Sequence, residues 1–350
     1  MTEIRVRSAD TSDSLAWDSY VLTRDDAGPY HLYAWRQAIE KAYGHRAVYL
    51  LAEDGKHTVK GVFPLFMIKP PLSRGLLVSL PFCDYGGALA SDADALAALH
   101  RSAYTHAQNL HAGLELRLRK PEPPLFNGFH VGAQFNKCRM LLDLPSSSQE
   151  LWGGFKSKLR SQIRRPQKDG FAFVLGSGEL VDDFYSVFAV NMRDLGSPVH
   201  SREWIEAVVE AFGERSHVGI VRAGSKPVAG GIILELNGLV AIPWASALRE
   251  YNRSSPNMLL YWGFLAYAAD HGFTLFDFGR STPDEGTYRF KKQWGAKPCD
   301  LLWYAHHLSH PIMKIINARG VRPLIDKAWS CLPQGVADAL GPLVRRYLPL

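Results

Sequence analysis

The chain has 350 residues, 47% of them hydrophobic and 21% charged, which is the composition of a soluble globular protein and excludes a disordered one. That length accommodates two domains of ordinary size or one large one. A formal charge of +6 and a pI near 9.0 favour an anionic partner, whether a phosphate-bearing substrate, RNA or an anionic membrane face, without choosing among them.

Residues 3–7 and 16–22 read as short strand or helix pieces. From Pro29 the pattern becomes helical, with Tyr33, Ala34, Ile39, Ala42 and Tyr43 recurring at three- and four-residue steps until Gly44. A strand at Ala47–Ala52, a turn at Asp54-Gly55 and a strand at Val59–Ile68 make a hairpin signature. Leu76–Leu80 reads as a strand and PFCDYGG (81–87) as an aromatic loop. Ser91 is the expected N-cap of an alanine-rich helix to about His111, followed by a strand at Leu114–Leu118. Pro121–Gly128 reads as a loop and Val131–Leu144 as strands. Pro145–Ser148 is the expected joint, giving domains at 1–145 and 146–308 and a tail at 309–350.

Beyond the joint, a basic helix is expected from about Glu150 to Asp169, carrying Lys156, Lys158, Arg160, Arg164, Arg165 and Lys168, with Pro166 kinking it or ending it early. Helices follow at Glu179–Leu195 and Ser201–Phe212, then strands at His217–Val221, Val228–Leu236 and Leu239–Ser246. A polar loop, Arg249–Pro256, leads to a helix capped by Asn257 and a closing strand at Leu275–Phe278 that breaks at Gly279. A polar turn and a basic, aromatic run to Gly295 complete this part. The order helix, hairpin, strand, helix, strand occurs in both halves, which points to a tandem duplication. The proline-punctuated tail reads as helical hairpins packed on the body, or as an interfacial patch for an anionic membrane.

Among chemical signatures, GxxxxGK[ST], HExxH, GxSxG and a post-strand GxGxxG are all absent from the sequence. Cys83, Cys138, Cys299 and Cys331 have neither CxxC nor metal-ligand spacing, which fits a reducing compartment. MTEIRVRSAD has no signal-peptide pattern, and no run approaches the roughly 20 apolar residues of a membrane span. A cytoplasmic location is therefore expected, with membrane association on that face through the tail as a further reading. Arg160, Arg164 and Lys168 step by four and share a helix face, either solvated or facing an anion. Arg249, Asn252, Arg253 and Ser254 at the strand-to-helix junction are anion-binding candidates or solvated loop residues.

Three stretches carry a family resemblance. KLRSQIRRPQKDG, NMLLYWGFLAYAADHGFTLFDFGRS and GTYRFKKQWGA resemble the FemAB family, tandem transferases of the GNAT (acyl-CoA N-acyltransferase) fold that attach amino acids to peptidoglycan precursors. DFYSVFAVNMRDLGSPVHS and PWASALREYNRSSPNMLLYW resemble, more narrowly, FemAB-related proteins of exosortase (PEP-CTERM) and exopolysaccharide loci. The resemblance implies an α/β fold with mixed sheets, a tandem duplicated GNAT fold with a helical tail. It implies an aminoacyl-tRNA- or acyl-thioester-dependent N-acyltransferase with no tightly bound cofactor, acyl-CoA or aminoacyl-tRNA serving as co-substrate, and a phosphate-bearing acceptor. The alternative is a catalytically silent anion- or RNA-binding protein. By the GTYRFKKQWGA match, Phe290 and Lys291 take catalytic positions, with Lys291 stabilising charge on the transferred carbonyl. Asp277 is a candidate proton acceptor or a buried structural carboxylate, and Arg280 a candidate phosphate or carboxylate ligand or a salt-bridge partner of Asp277 or Asp284. Trp244, Asn257 and Tyr288 complete the expected substrate-binding set with Arg160, Arg164, Lys168, Arg249 and Asn252. The junction lacks the glycine-rich loop with which GNAT enzymes cradle a pyrophosphate.

Overall fold

In the computed structural model, residues 3–119, 130–131, 137–306 and 321–349 are described. The elements in chain order are β1 (Arg5–Ser8), α1 (Ser14–Leu22), α2 (Tyr33–Tyr43), β2 (Arg46–Ala47), β3 (Leu50–Glu53), β4 (Val59–Phe63), β5 (Phe66–Ile68), β6 (Leu76–Val78), β7 (Leu89–Ala90), α3 (Ala93–Asn109), β8 (Gly113–Leu118), β9 (His130–Val131), β10 (Cys138–Asp143), α4 (Ser148–Gly154), α5 (Ser157–Lys168), β11 (Phe171–Gly176), α6 (Val181–Asp194), α7 (Arg202–Phe212), β12 (Ser216–Ala223), β13 (Lys226–Leu236), β14 (Leu239–Ala247), α8 (Pro256–Asp270), β15 (Leu275–Ser281), α9 (Gly286–Lys292), β16 (Lys297–Asp300), β17 (Leu302–His306), α10 (Val321–Ser330) and α11 (Gln334–Arg345).

Two compact units result. The first comprises 1–137, 300–321 and 346–350, and the second 138–299 and 322–345. The first unit holds a four-stranded sheet, β1-β3-β4-β7, and a six-stranded one, β2-β5-β6-β8-β17-β9. Its core gathers Leu50, Ala52, Phe63 and Leu65 with Leu99 and Ala103 of α3 and Leu114 and Leu116 of β8. The second unit holds a seven-stranded mixed sheet, β11-β12-β13-β14-β15-β10-β16. Leu259, Leu260, Phe264 and Leu265 of α8 and Leu159 and Ile163 of α5 pack on it. Close approach of α8 needs glycine: a Cβ at Gly219 would lie 2.5 Å from the Phe264 ring and one at Gly231 3.0 Å from it. The chain is thus a mixed α/β structure with a helical C-terminal region.

Both units repeat one device. After α3, β8 runs parallel to β6 over three residue pairs, Leu76↔Gly113 to Val78↔Glu115. After α8, β15 runs parallel to β14 over three pairs, Leu239↔Leu275 to Ala241↔Asp277. Beyond those pairs the partners part.

Several local expectations change. The basic helix expected over 150–169 is two helices, broken at Phe155–Lys156 just after Gly153-Gly154, which disfavour helix continuation. Pro166 lies in the last turn of α5, buried, and the helix ends at Lys168. The strand expected over 47–52 is divided between β2 and β3, which pair in different sheets. The N-cap of α3 is Asp92, whose carboxylate accepts from Ala95 N, rather than Ser91. Asn257 is not a cap: α8 starts at Pro256 after Ser255, whose φ is 57°. The closing strand does not stop at Phe278 but passes through Gly279 to Ser281. Strand β10 pairs with β15 inside the second sheet, so the second compact unit includes Cys138 onward. Pro121–Gly128, His307 and 309–320 lie outside the described residues, and of the strands expected over 131–144 residues 138–143 form β10.

In the tail, Ala337 and Gly341 of α11 are buried, Gly341 facing Val199. Val336, Leu340, Leu343 and Val344 form an exposed apolar stripe along the same helix. No helix among the described residues is long and apolar enough to cross a membrane.

Candidate active site

The site is a split in the second unit's sheet. Past Ala241 and Asp277, β14 stays with β13 as far as Ala229↔Ala247, and β15 stays with β10 as far as Cys138↔Ser281. Backbone from Ile242 to Ala247 on one side and Phe278 to Ser281 on the other therefore has no ladder partner across the gap.

Two sequence features open it. On β14 the register slips between Ile232↔Trp244 and Leu234↔Ala241, so three steps of β14 oppose two of β13. This is a β-bulge around Ile242-Pro243, and Pro243 has no N–H to lose there. On β15, Gly279 takes φ +74°, a left-handed value that only glycine adopts without strain.

Asp277 stands at the fork. Its Oδ2 accepts from Arg139 Nε (2.9 Å) and Nη2 (2.6 Å), and its Oδ1 accepts from Gly279 N (2.9 Å). Both side chains are buried, at 4% and 2% exposure. The carboxylate thus joins β10 to β15 and holds the Gly279 turn, the arrangement of a buried structural carboxylate. A carboxylate that received a substrate proton here would abandon a buried guanidinium, at high cost. The alternative pairing of Asp277 with Arg280 is likewise replaced by Arg139, and Arg280 sits half-buried across from Arg139 in the β10–β15 register.

Lys291, on α9, is 8% exposed and donates from Nζ to Gly279 O (3.1 Å) and Arg280 O (2.8 Å). Its ammonium is thereby fixed against the parted segment of β15. Phe290 beside it meets the Tyr261 ring edge-on at 5.0 Å, and Tyr261 stacks on Phe278 at 5.5 Å. Burial pushes the Tyr261 hydroxyl well above its ordinary pKa, keeping it a neutral phenol. Tyr288 is half-buried, with Lys292 Nζ 5.7 Å from its ring centre.

Across the split, Trp244 is turned into the core against Trp204 (6.2 Å) and His200 (6.3 Å). His200 Nε2 accepts from Arg345 Nε at 3.0 Å. Burial first, and Arg345 second, hold this imidazole well below its ordinary pKa. Asn191 Nδ2 donates to Ser246 Oγ on β14 at 3.1 Å.

The remaining expected residues lie on other elements than Lys291. Arg249 and Asn252 are exposed on the 3-10 turn after β14, and Asn257 is half-buried in the first turn of α8. That helix start is a poor anion cradle: Pro256 brings no N–H, and Met258 N donates to Ser255 O at 3.0 Å. Arg160 reaches the C-terminal carbonyls of α4 at Trp152 (3.5 Å) and Gly153 (3.4 Å). Arg164 lies over the Trp152 ring at 5.1 Å, and Lys168 is exposed. Arg160, Arg164 and Lys168 therefore lie along the outer side of a helix whose Leu159, Ile163 and Pro166 are buried.

Sequence reasoning missed Arg139, Tyr261 and the His200–Arg345 pair. Arg139 alone had a signal, a single cation inside the otherwise apolar run CRMLL at 138–142.

A profile described as an acetyltransferase (GNAT) domain matches residues 154–292. The fold resembles that of FemX at TM-score 0.67 and 16% identity, covering 89% of this chain and 99% of that one. It also resembles the C-terminal (DUF2156) domain of a putative lysylphosphatidylglycerol synthetase from Agrobacterium fabrum at TM-score 0.57 and 12% identity, covering 91% and 96%. A tandem GNAT protein from the clavulanic acid biosynthesis pathway matches at TM-score 0.53 and 13% identity, covering 87% and 98%. No curated protein matches the sequence significantly. The chain thus has a tandem GNAT-like fold, and its residues 154–292 match the acetyltransferase (GNAT) domain of that superfamily.

Proposed function

We propose that the second unit is an N-acyltransferase that moves an activated acyl or aminoacyl group onto an amine, in cell-envelope or exopolysaccharide precursor chemistry. The observation that carries this reading is the buried Lys291 ammonium, held by two backbone carbonyls on the rim of the split, within the stretch that matches an acetyltransferase domain. The acceptor amine attacks the donor carbonyl carbon, and a tetrahedral oxyanion forms. Collapse breaks the ester or thioester bond, the amide remains, and the proton lost by the amine is matched by one gained by the leaving group. No protein nucleophile is needed, because the donor is already activated. The Lys291 ammonium supplies a donor for the oxyanion, a contribution of roughly 3–4 kcal/mol in comparable sites. Asp277 acts indirectly, by holding the Gly279 turn whose carbonyl orients Lys291.

The start of α8 favours an aminoacyl ester donor such as aminoacyl-tRNA over acyl-CoA, since Pro256 and the engaged Met258 N–H leave a poor pyrophosphate cradle. The exposed cations of α5 suit a nucleic-acid or phosphate-bearing substrate. The narrower association with exosortase and exopolysaccharide loci is supported by sequence wording alone. Titration with coenzyme A beside transfer assays using aminoacyl-tRNA separates the donors: tight coenzyme A binding with no aminoacyl transfer overturns the preference.

A second reading, a catalytically silent anion- or RNA-binding protein, is favoured by one observation: Lys291 already donates to two backbone carbonyls and could be purely structural. Absence of turnover with every donor, together with salt-dependent RNA binding lost in Arg160→Ala/Arg164→Ala, supports that reading instead.

A further inference from the structure

The first unit repeats the parted parallel strands, but its gap is filled. After β6 and β8 separate, the chain from Leu80 to Tyr85 turns back, with Leu80 and Phe82 at φ 57° and 66°. Neither is glycine, and such conformations persist only where surroundings hold them. Arg117 on β8 is fully buried. Its Nε and Nη2 lie 2.8 Å from Glu115 Oε1, and its Nη1 donates to Cys83 O at 2.9 Å. Its guanidinium lies 4.0 Å from the Trp303 ring centre.

Into this setting comes one further oxygen. The carbonyl of Pro349 accepts from Arg117 Nη1 at 2.8 Å and from Phe82 N at 2.9 Å. A backbone N–H and a buried cation converging on one carbonyl oxygen form a carbonyl-binding site. The residues leading to Pro349 are seated as well. His45 Nε2 bonds Arg346 O at 2.7 Å, Arg346 Nη2 donates to Tyr43 O, and the Tyr347 ring lies 6.1 Å from that of His45. Burial lowers the His45 pKa, so near neutrality its ring donates that bond as a neutral imidazole.

We propose that the parted strands of the first unit form a peptide-binding site for an extended segment presenting a carbonyl to Arg117 and Phe82, and that residues 346–349 are its resident, displaceable occupant. The ligand class is a short peptide with the character of Arg-Tyr-Leu-Pro. Two coincidences support this over simple packing. The site lies at the gap matching the candidate active site of the second unit, and the docked segment engages it through main-chain carbonyls at both Arg346 and Pro349, the manner in which peptides are held. The proposal is independent of the transferase reading, since it requires no turnover.

The test uses a fluorescent acetyl-RYLPL-amide peptide, the sequence of residues 346–350. A chain ending at Arg345 is expected to bind it saturably, and the full chain at least tenfold more weakly because its site is occupied. In the full chain, Tyr347→Gly is expected to speed hydrogen exchange at the Phe82 amide, and added peptide to slow it again. This second arm stands if the shortened chain does not fold. Failure of both altered proteins to bind, or equal binding by the unaltered full chain, overturns the proposal. Binding that persists unchanged in Arg117→Met overturns the assigned carbonyl site.

Discussion

Replacing Asp277 by Asn separates the two roles that a carboxylate at the fork of β14 and β15 could have. Arg139 is 4% exposed and directs two donors to Asp277 Oδ2. The amide keeps the shape but leaves the guanidinium buried without its counter-charge. Breaking a buried pair from one side costs about 3–5 kcal/mol, whereas replacing both members by apolar residues of similar volume is often close to neutral. Asp277→Asn is therefore expected to lose about 3 kcal/mol or more, and Arg139→Met/Asp277→Leu to recover most of that loss apart from the bond to Gly279 N, worth about 1 kcal/mol. Urea unfolding of the three proteins, followed by tryptophan fluorescence, provides the free energies. Acyl transfer measured on the same samples provides the second axis. With Asp277 acting only by position, the refolded double variant transfers within about tenfold of the unaltered chain. A single variant as stable as the parent, or a stable double variant with transfer abolished, refutes the structural assignment.

Gly279→Ala forces a left-handed φ of +74° onto a residue with a Cβ, costing about 1–2 kcal/mol. It should lower the unfolding temperature and depress kcat by displacing the carbonyl that orients Lys291; unchanged values of both contradict the role given to the turn. His31 and His100 are buried, with pKa values pushed from 6.5 down to about 4, chiefly by burial, and His200 shifts in the same direction. The unfolded chain takes up protons at pH values where these rings do not. The stability they contribute is thus present above pH 6.5 and lost as pH falls towards 4, by about 1.4 kcal/mol per pH unit for each ring. Urea midpoints at pH 7 and 5 should show that fall, with a shallower one in His100→Leu; identical slopes reject it. The tail carries six Lys or Arg against two Asp over residues 309–350, beside the exposed stripe on α11. Co-sedimentation with phosphatidylglycerol vesicles is expected and should drop in Leu340→Asp/Leu343→Asp; equal sedimentation of both proteins removes membrane contact through this helix.

Local periodicity made much of the architecture legible. Helix α2 runs over the stretch marked by Tyr33 and Gly44, and α7 has Ser201 as its cap, its Oγ accepting from Trp204 N. The two-fold order of elements was legible because each half repeats helix and strand in the same sequence. What escaped was set by long-range pairing or by backbone conformation. Arg139 and Asp277 are 138 residues apart, and nothing local marks them as partners. The bulge at Pro243 and the left-handed Gly279 depend on which strands lie alongside, so a strand expected to end at Phe278 instead continues to Ser281. The basic helix divided because two consecutive glycines outweighed the charge pattern used to extend it. Lys291 was singled out by a motif, and its burial against the Gly279 and Arg280 carbonyls could be read only from the fold.

The proposed function rests on acyl transfer to an amine at the split beside Lys291. Its most direct test is mass-spectrometric detection of the new amide after incubation of the purified chain with aminoacyl-tRNA or an acyl-thioester and a panel of amine acceptors, alongside folded Lys291→Ala. The unaltered chain is expected to yield an amide product, and the variant a fall in kcat/KM of about 10²–10³, the scale of losing one oxyanion donor. Product formed at an undiminished rate by Lys291→Ala would contradict it.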